Sequence, residues 1–129
     1  MSTQLDLEAT FYSREQSTLA DGTVQLPATG EFGITLQEAL AGQSPLQCAV
    51  DPNVIHLLTE FTLRLWDGQE VSAKALDVGT DIKGNRIDIY VDTNNEAIDL
   101  GRQSVIAIFE VEDPQDPQDA SDGDDSDNQ

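Results

Sequence analysis

Nucleophilic catalysis requires a serine or cysteine beside a base that is itself oriented by a carboxylate. The chain has one histidine, His56, and one cysteine, Cys48. Cys48 alternates with Leu46 and Val50 on an apolar face and reads as a small buried thiol. His56 shares its face with Leu58 and Glu60 and reads as a partly buried structural histidine. A single Cys and a single His also cannot close a zinc site. Asp92, Asn94, Glu96 and Asp99 are oxygen ligands within one loop, the kind a hard cation takes. The loop nevertheless lacks the glycine at its sixth position and has Gln103 where the bidentate glutamate belongs, so it reads as a solvated acidic loop. Gly30-Glu31-Phe32-Gly33 has neither the lysine nor the hydroxyl residue of a phosphate loop. Paired carboxylates could do acid–base work, but 25 acidic residues produce pairs by chance, and no pair stands in an apolar context. The residues therefore predict no catalytic group, no metal and no cofactor, and a protein that is not an enzyme.

Partner contact is the remaining use for distinctive side chains. Tyr12 closes the first strand and Trp66 precedes a turn, positions at which aromatic anchors serve interfaces as well as core rims. Asp113, Asp116 and Asp119 open an acidic C-terminal tail. These five are the candidate partner-binding residues.

The chain has 129 residues, six basic and 25 acidic, for a net charge of −19. Aspartate outnumbers glutamate 16 to 9, and lysine occurs only twice. This composition resembles that of proteins from extreme halophiles, where molar salt shortens the Debye length to roughly 3 Å and removes most of the self-repulsion. Direct nucleic-acid binding lacks the cations it needs, and an anionic membrane surface is disfavoured for the same reason. The lone cysteine permits no internal disulfide. Asp6 and Glu8 stand where a signal peptide would be basic and then apolar, which predicts mature sequence and synthesis in the cytoplasm. The longest apolar runs, such as Val105 to Phe109, are far shorter than a membrane span.

The elements that would position these residues follow from period and punctuation. Thr3 to Tyr12 alternates strictly, with Leu5, Leu7, Ala9 and Phe11 on one face. Asp21-Gly22 signals a turn before a short hairpin arm, Val24 to Leu26. Thr35 and Glu38 make a capping box for a short helix ended by Gly42. Leu46 to Val50 alternates up to the Asp51-Pro52 break. Ile55 to Trp66 gives the longest alternation and predicts one long strand, with its Ile55-to-Leu65 face in the core. Asp67-Gly68 returns it as a hairpin into Val71, Ala73 and Ala75, in competition with a helix over Gln69 to Leu76. Lys83-Gly84-Asn85 turns into a strand through Val91, Thr93 to Leu100 forms a helical turn closed by Gly101, and Gln103 to Glu112 is the last strand, its middle covered on both faces.

Short strands at this spacing predict an all-β fold with one or two very short helices, an antiparallel sandwich or jelly-roll-like barrel of about seven to eight strands. Residues 1–112 form the single domain. Residues 113–129, with seven acids and no bases, form a disordered tail. Without a catalytic constellation, the expected function is a non-enzymatic structural or interaction domain. The specific form is a subunit of a virus particle (capsid, vertex, decoration or tail) from a saline habitat, associating with protein subunits of the same assembly as a homo- or hetero-oligomer. The alternative is an acidic inhibitor or adaptor that occupies a basic nucleic-acid-binding surface on another protein.

Overall fold

A computed structural model describes residues 2–110. Asp113, Asp116 and Asp119 and the tail that carries them lie outside the described residues. Within them the chain forms β1 (Ser2–Ser13), α1 (Leu36–Leu40), β2 (Leu46–Val50), β3 (Glu60–Arg64), β4 (Glu70–Asp77), β5 (Arg86–Val91), α2 (Asn94–Leu100) and β6 (Gln103–Glu110). The strands close into a barrel in the order β1-β5-β2-β4-β3-β6. The expectation of a mostly β fold with short helices therefore holds, and the strand count falls from seven or eight to six.

One predicted strand is lost and another is shortened. The arm at Val24 forms only an isolated bridge to Thr18, because Asp21 holds the turn locally by accepting from the Thr23 N–H and hydroxyl. The long alternation from Ile55 yields a strand only from Glu60. Before it the chain runs through turns, in which Leu58 takes a φ of 73° and its N–H reaches the Ala75 carbonyl. Of its apolar set, Ile55, Phe61, Leu63 and Leu65 are nevertheless in the core, while Leu57 on the irregular stretch is only partly buried. His56, read as partly buried, is exposed, since it lies on the irregular stretch instead of on a strand.

Two of the six pairings are parallel, β1 with β5 and β2 with β4, where an all-antiparallel arrangement was expected. They follow from the strand order, in which β1 and β5, and β2 and β4, are neighbours without being consecutive in the chain. β1 spans 12 residues and pairs antiparallel with β6 along its first part and parallel with β5 along its last.

Local chemistry settles the turns and helices. Gly68 has a φ of 91°, β3 and β4 pair antiparallel around Asp67-Gly68, and the competing helix does not form. Thr35 and Glu38 exchange both capping-box hydrogen bonds at α1. Thr93 caps α2, and Gly101 follows it with a φ of 62°. No helix among the described residues is long and apolar enough to cross a membrane.

The barrel interior is filled by alternate residues of each strand, among them Leu7, Ala9, Leu46, Cys48, Val50, Leu63, Ile87, Ile89 and Ala107. Burial pushes the Cys48 thiol well above the usual range, consistent with its reading as inert. The last strand departs from its expected double cover, since Ile106 and Ile108 on its outer face are only half-buried. β2 is the strand buried throughout, outer face included. What covers that outer face defines the site.

Candidate functional site

β2 lies between β5 and β4, and Ala49 is the register partner of Asp88 on one side and of Asp77 on the other. A β-bulge between Cys48 and Ala49 skips one residue of β4 and brings Asp77 into this register. Directly opposed residues share a face, so the two aspartates flank a methyl side chain on the outside of the barrel. Their Cα atoms are two strand spacings apart, roughly 9–10 Å. Thr10 of β1 continues the row beyond Asp88. The next row begins with Tyr12 opposite Tyr90.

The two carboxylates have different surroundings. Asp88 is half-buried, and desolvation is the main cause that raises its carboxyl above the ordinary aspartate value. Asp77 adds to the rise through like-charge repulsion, while the Thr10 hydroxyl, donating at 3.0 Å, and the Arg86 charge oppose it. Asp77 accepts two backbone N–H bonds on one oxygen, from Ala28 and Val78, each at 2.9 Å. One aspartate is thus pushed towards its proton-bearing form and the other is held as an acceptor.

A strap of chain docks at the Asp77 end of this row. Residues 27–33 dock on the outer face through Ala28 on Asp77, through the Thr29 N–H and hydroxyl on the Leu76 carbonyl, and through an ion pair of Glu31 with Lys74 at 2.8 Å. The Gly33 N–H donates to Gln47 Oε1 at 2.9 Å, and Gln47 Nε2 donates to the Tyr12 hydroxyl at 2.8 Å. Burial raises the Tyr12 phenol far above its ordinary value, with the hydrogen bond from Gln47 opposing. Tyr12 and Tyr90 pack with ring centroids 5.2 Å apart. Next to the strap, between the segment from Ser17 to Leu26 and the barrel, a cavity of about 230 Å³ is lined by Ser17, Gln25, Leu26, Gln47, Asp77, Val78 and Tyr90.

Tyr12, a candidate anchor from the sequence, thus sits in the row beside the aspartates. Trp66 does not join it. It stacks edge-on against Phe11 at 5.8 Å, and because neighbouring strand residues point to opposite faces, it lies on the other side of β1 from Tyr12. It also borders a separate groove of about 660 Å³ with Asp6, Glu8, Arg64 and Ile106. The acidic loop at Asp92 is taken up by α2, where the Asn94 side chain accepts from the Ser13 hydroxyl. Among the described residues no group of three or more His, Cys, Asp or Glu is arranged to hold a metal ion.

Neither Asp77 nor Asp88 was singled out as catalytic from the sequence. Asp88 alternates with Ile87, Ile89 and Val91 as any solvent-facing residue would, and its cover comes from β1 and Asp77, distant in the chain. The available signal was Tyr90, an aromatic on the supposedly wet face of the same strand.

A model of the 3D domain matches residues 47–109, from β2 into β6. The match includes both aspartates and excludes Thr10, Tyr12 and the strap. The chain is also similar to the SPbeta prophage-derived uncharacterized protein YorM of Bacillus subtilis (strain 168), 46% identical over 57 residues. That stretch is 44% of this chain and 24% of YorM, so the matched part spans about a quarter of the relative. Crystal structures of an expansin from Clavibacter michiganensis, one of a mutant in complex with cellohexaose and one of the apo protein, align with TM-scores of 0.47 at 16% and 17% identity. The alignments cover 89% of this chain and 54% of the expansin.

Proposed function

We propose that Asp88 and Asp77 form an acid–base pair that hydrolyses a glycosidic bond in a neutral glycan. The observation that carries this reading is the pairing of both residues with Ala49, with desolvation raising the Asp88 carboxyl above the ordinary aspartate value. Glycoside hydrolysis by inversion uses two carboxyl groups roughly 6.5–9.5 Å apart, one protonating the leaving oxygen and the other activating water. In this reading Asp88 gives its proton to the leaving oxygen, and Asp77, oriented by Ala28 and Val78, takes the proton of the attacking water. Thr10 positions Asp88.

Mass spectrometry of products from neutral oligosaccharides and insoluble glycans tests it. Asp88→Asn is expected to lower turnover by about 10²- to 10⁴-fold, the usual contribution of a positioned acid, with Asp77→Asn also impaired. Turnover unchanged in Asp88→Asn, or no product from any glycan, would overturn it.

A second reading, the non-catalytic virus-particle subunit expected from the sequence, is favoured by the prophage-derived name of the similar Bacillus protein. Here the acidic exterior serves solubility in salt and the partner is another subunit. Sedimentation from low to multimolar salt tests it, with a defined oligomer or a heteromeric complex expected. A strictly monomeric profile with no partner subunit retained would remove it.

A further inference from the structure

A second opening adjoins the carboxylate row. A cleft of about 320 Å³ is lined by Arg14, Val24, Phe32, Gly33 and Tyr90. It shares Tyr90 with the cavity over Asp77, and the Gly33–Gln47 hydrogen bond lies between the two.

Phe32 is 47% exposed, yet the backbone that follows it is fixed. Ile34 forms a parallel bridge to Leu46, and its N–H and carbonyl bond Pro45 and Gln47. A Cβ on Gly33 would fall 2.8 Å from the Pro45 carbonyl oxygen and 2.9 Å from the Gln47 nitrogen, so only glycine lets the chain sit this close. The result is a phenyl-bearing residue at the rim of a cleft, next to backbone that is already fixed. Such a ring suits the C–H face of a pyranose.

Charge decides the class of sugar. Arg14, the cation lining the cleft, already faces Glu38 at 3.4 Å and Asp92 at 3.6 Å and lies over the Tyr90 ring at 5.8 Å. It is engaged by two carboxylates, and Asp77 in the adjoining cavity repels anions. Uronates and phosphorylated sugars therefore find no free positive charge here.

We infer that the cleft between Phe32 and Arg14, floored by the buried Tyr90, is a subsite for a neutral pyranose unit of the substrate, with Phe32 as its stacking platform. The inference rests on the acid–base reading of the adjoining aspartates for its place in catalysis, while binding at the subsite is measurable without turnover.

Isothermal titration of the full chain with cellohexaose, chitohexaose and hexagalacturonate, repeated on Phe32→Ala, Phe32→Tyr and Asp88→Asn, tests it. At least one neutral hexasaccharide should bind and the uronate should not. Phe32→Ala should weaken binding roughly five- to tenfold, as loss of one aromatic contact does. Phe32→Tyr should restore it, and Asp88→Asn should bind within twofold of the unaltered chain. Binding of no neutral sugar, preference for the uronate, or undiminished binding by Phe32→Ala with unchanged thermal stability would overturn the subsite. Absence of product with Phe32-dependent binding intact would overturn the acid–base reading alone.

Discussion

Asp88 ties function to stability at the level of a single side chain. Its carboxyl is raised in the folded state, chiefly by desolvation, so the native protein holds a proton that the unfolded chain releases at lower pH. Between those two values stability falls as pH rises, and above the folded value the full penalty of a half-buried carboxylate is present. Asp88→Asn should therefore unfold at higher denaturant than the unaltered chain at pH 7, with the advantage gone near pH 3. Denaturant melts at the two pH values check this, and equal midpoints at pH 7 would contradict the desolvation of Asp88. Thr10→Val removes the hydroxyl that favours the ionised form. The pH at which Asp88 loses its proton, followed by NMR of its carboxyl carbon, should then move upward.

The strap from Pro27 to Gly33 is the element that turns an ordinary strand face into a site. It buries the outer side of β2, orients Asp77 through Ala28 and presents Phe32. Its seat depends on Gly33, where a Cβ would contact backbone that has no room to yield. Gly33→Ala should destabilise the fold by about 1–3 kcal/mol, the usual range for overpacking, measurable by reversible unfolding. Amides of residues 28–33 should exchange faster in that variant, and a change confined to global stability would show that the strap is not seated through Gly33. The neighbouring elements have simpler causes. The β3–β4 hairpin follows from Asp67-Gly68, and α1 and α2 each follow from a threonine cap, all within a few residues of chain.

The whole molecule carries a net charge of −19, and among the described residues the ion pairs are surface contacts of modest individual worth. Self-repulsion at this charge should weaken the fold in dilute buffer and fade as salt screens it. The unfolding midpoint should rise steadily from tens of millimolar to molar potassium chloride. A flat response would remove the basis for placing the protein in a saline habitat. The same screening bears on the acidic inhibitor or adaptor, whose binding to a basic surface would fail in the salt that stabilises the chain.

The sequence by itself determined what depends on near neighbours. The alternation of Leu5, Leu7, Ala9 and Phe11, the inward set from Phe61 to Leu65, the turn at Asp67-Gly68 and both helix caps were legible because each is set by side chains a few positions apart. Tertiary structure decided the rest. The parallel pairings of β1 with β5 and of β2 with β4 arise from the order in which distant strands meet, which no local pattern encodes. The bulge beside Ala49 that brings Asp77 level with Asp88 exists only once β2 and β4 meet. Among 25 acids these two were indistinguishable in one dimension. They become a pair because β2 sets them on either side of Ala49, and because Thr10 reaches Asp88 and Ala28 reaches Asp77 from distant parts of the chain.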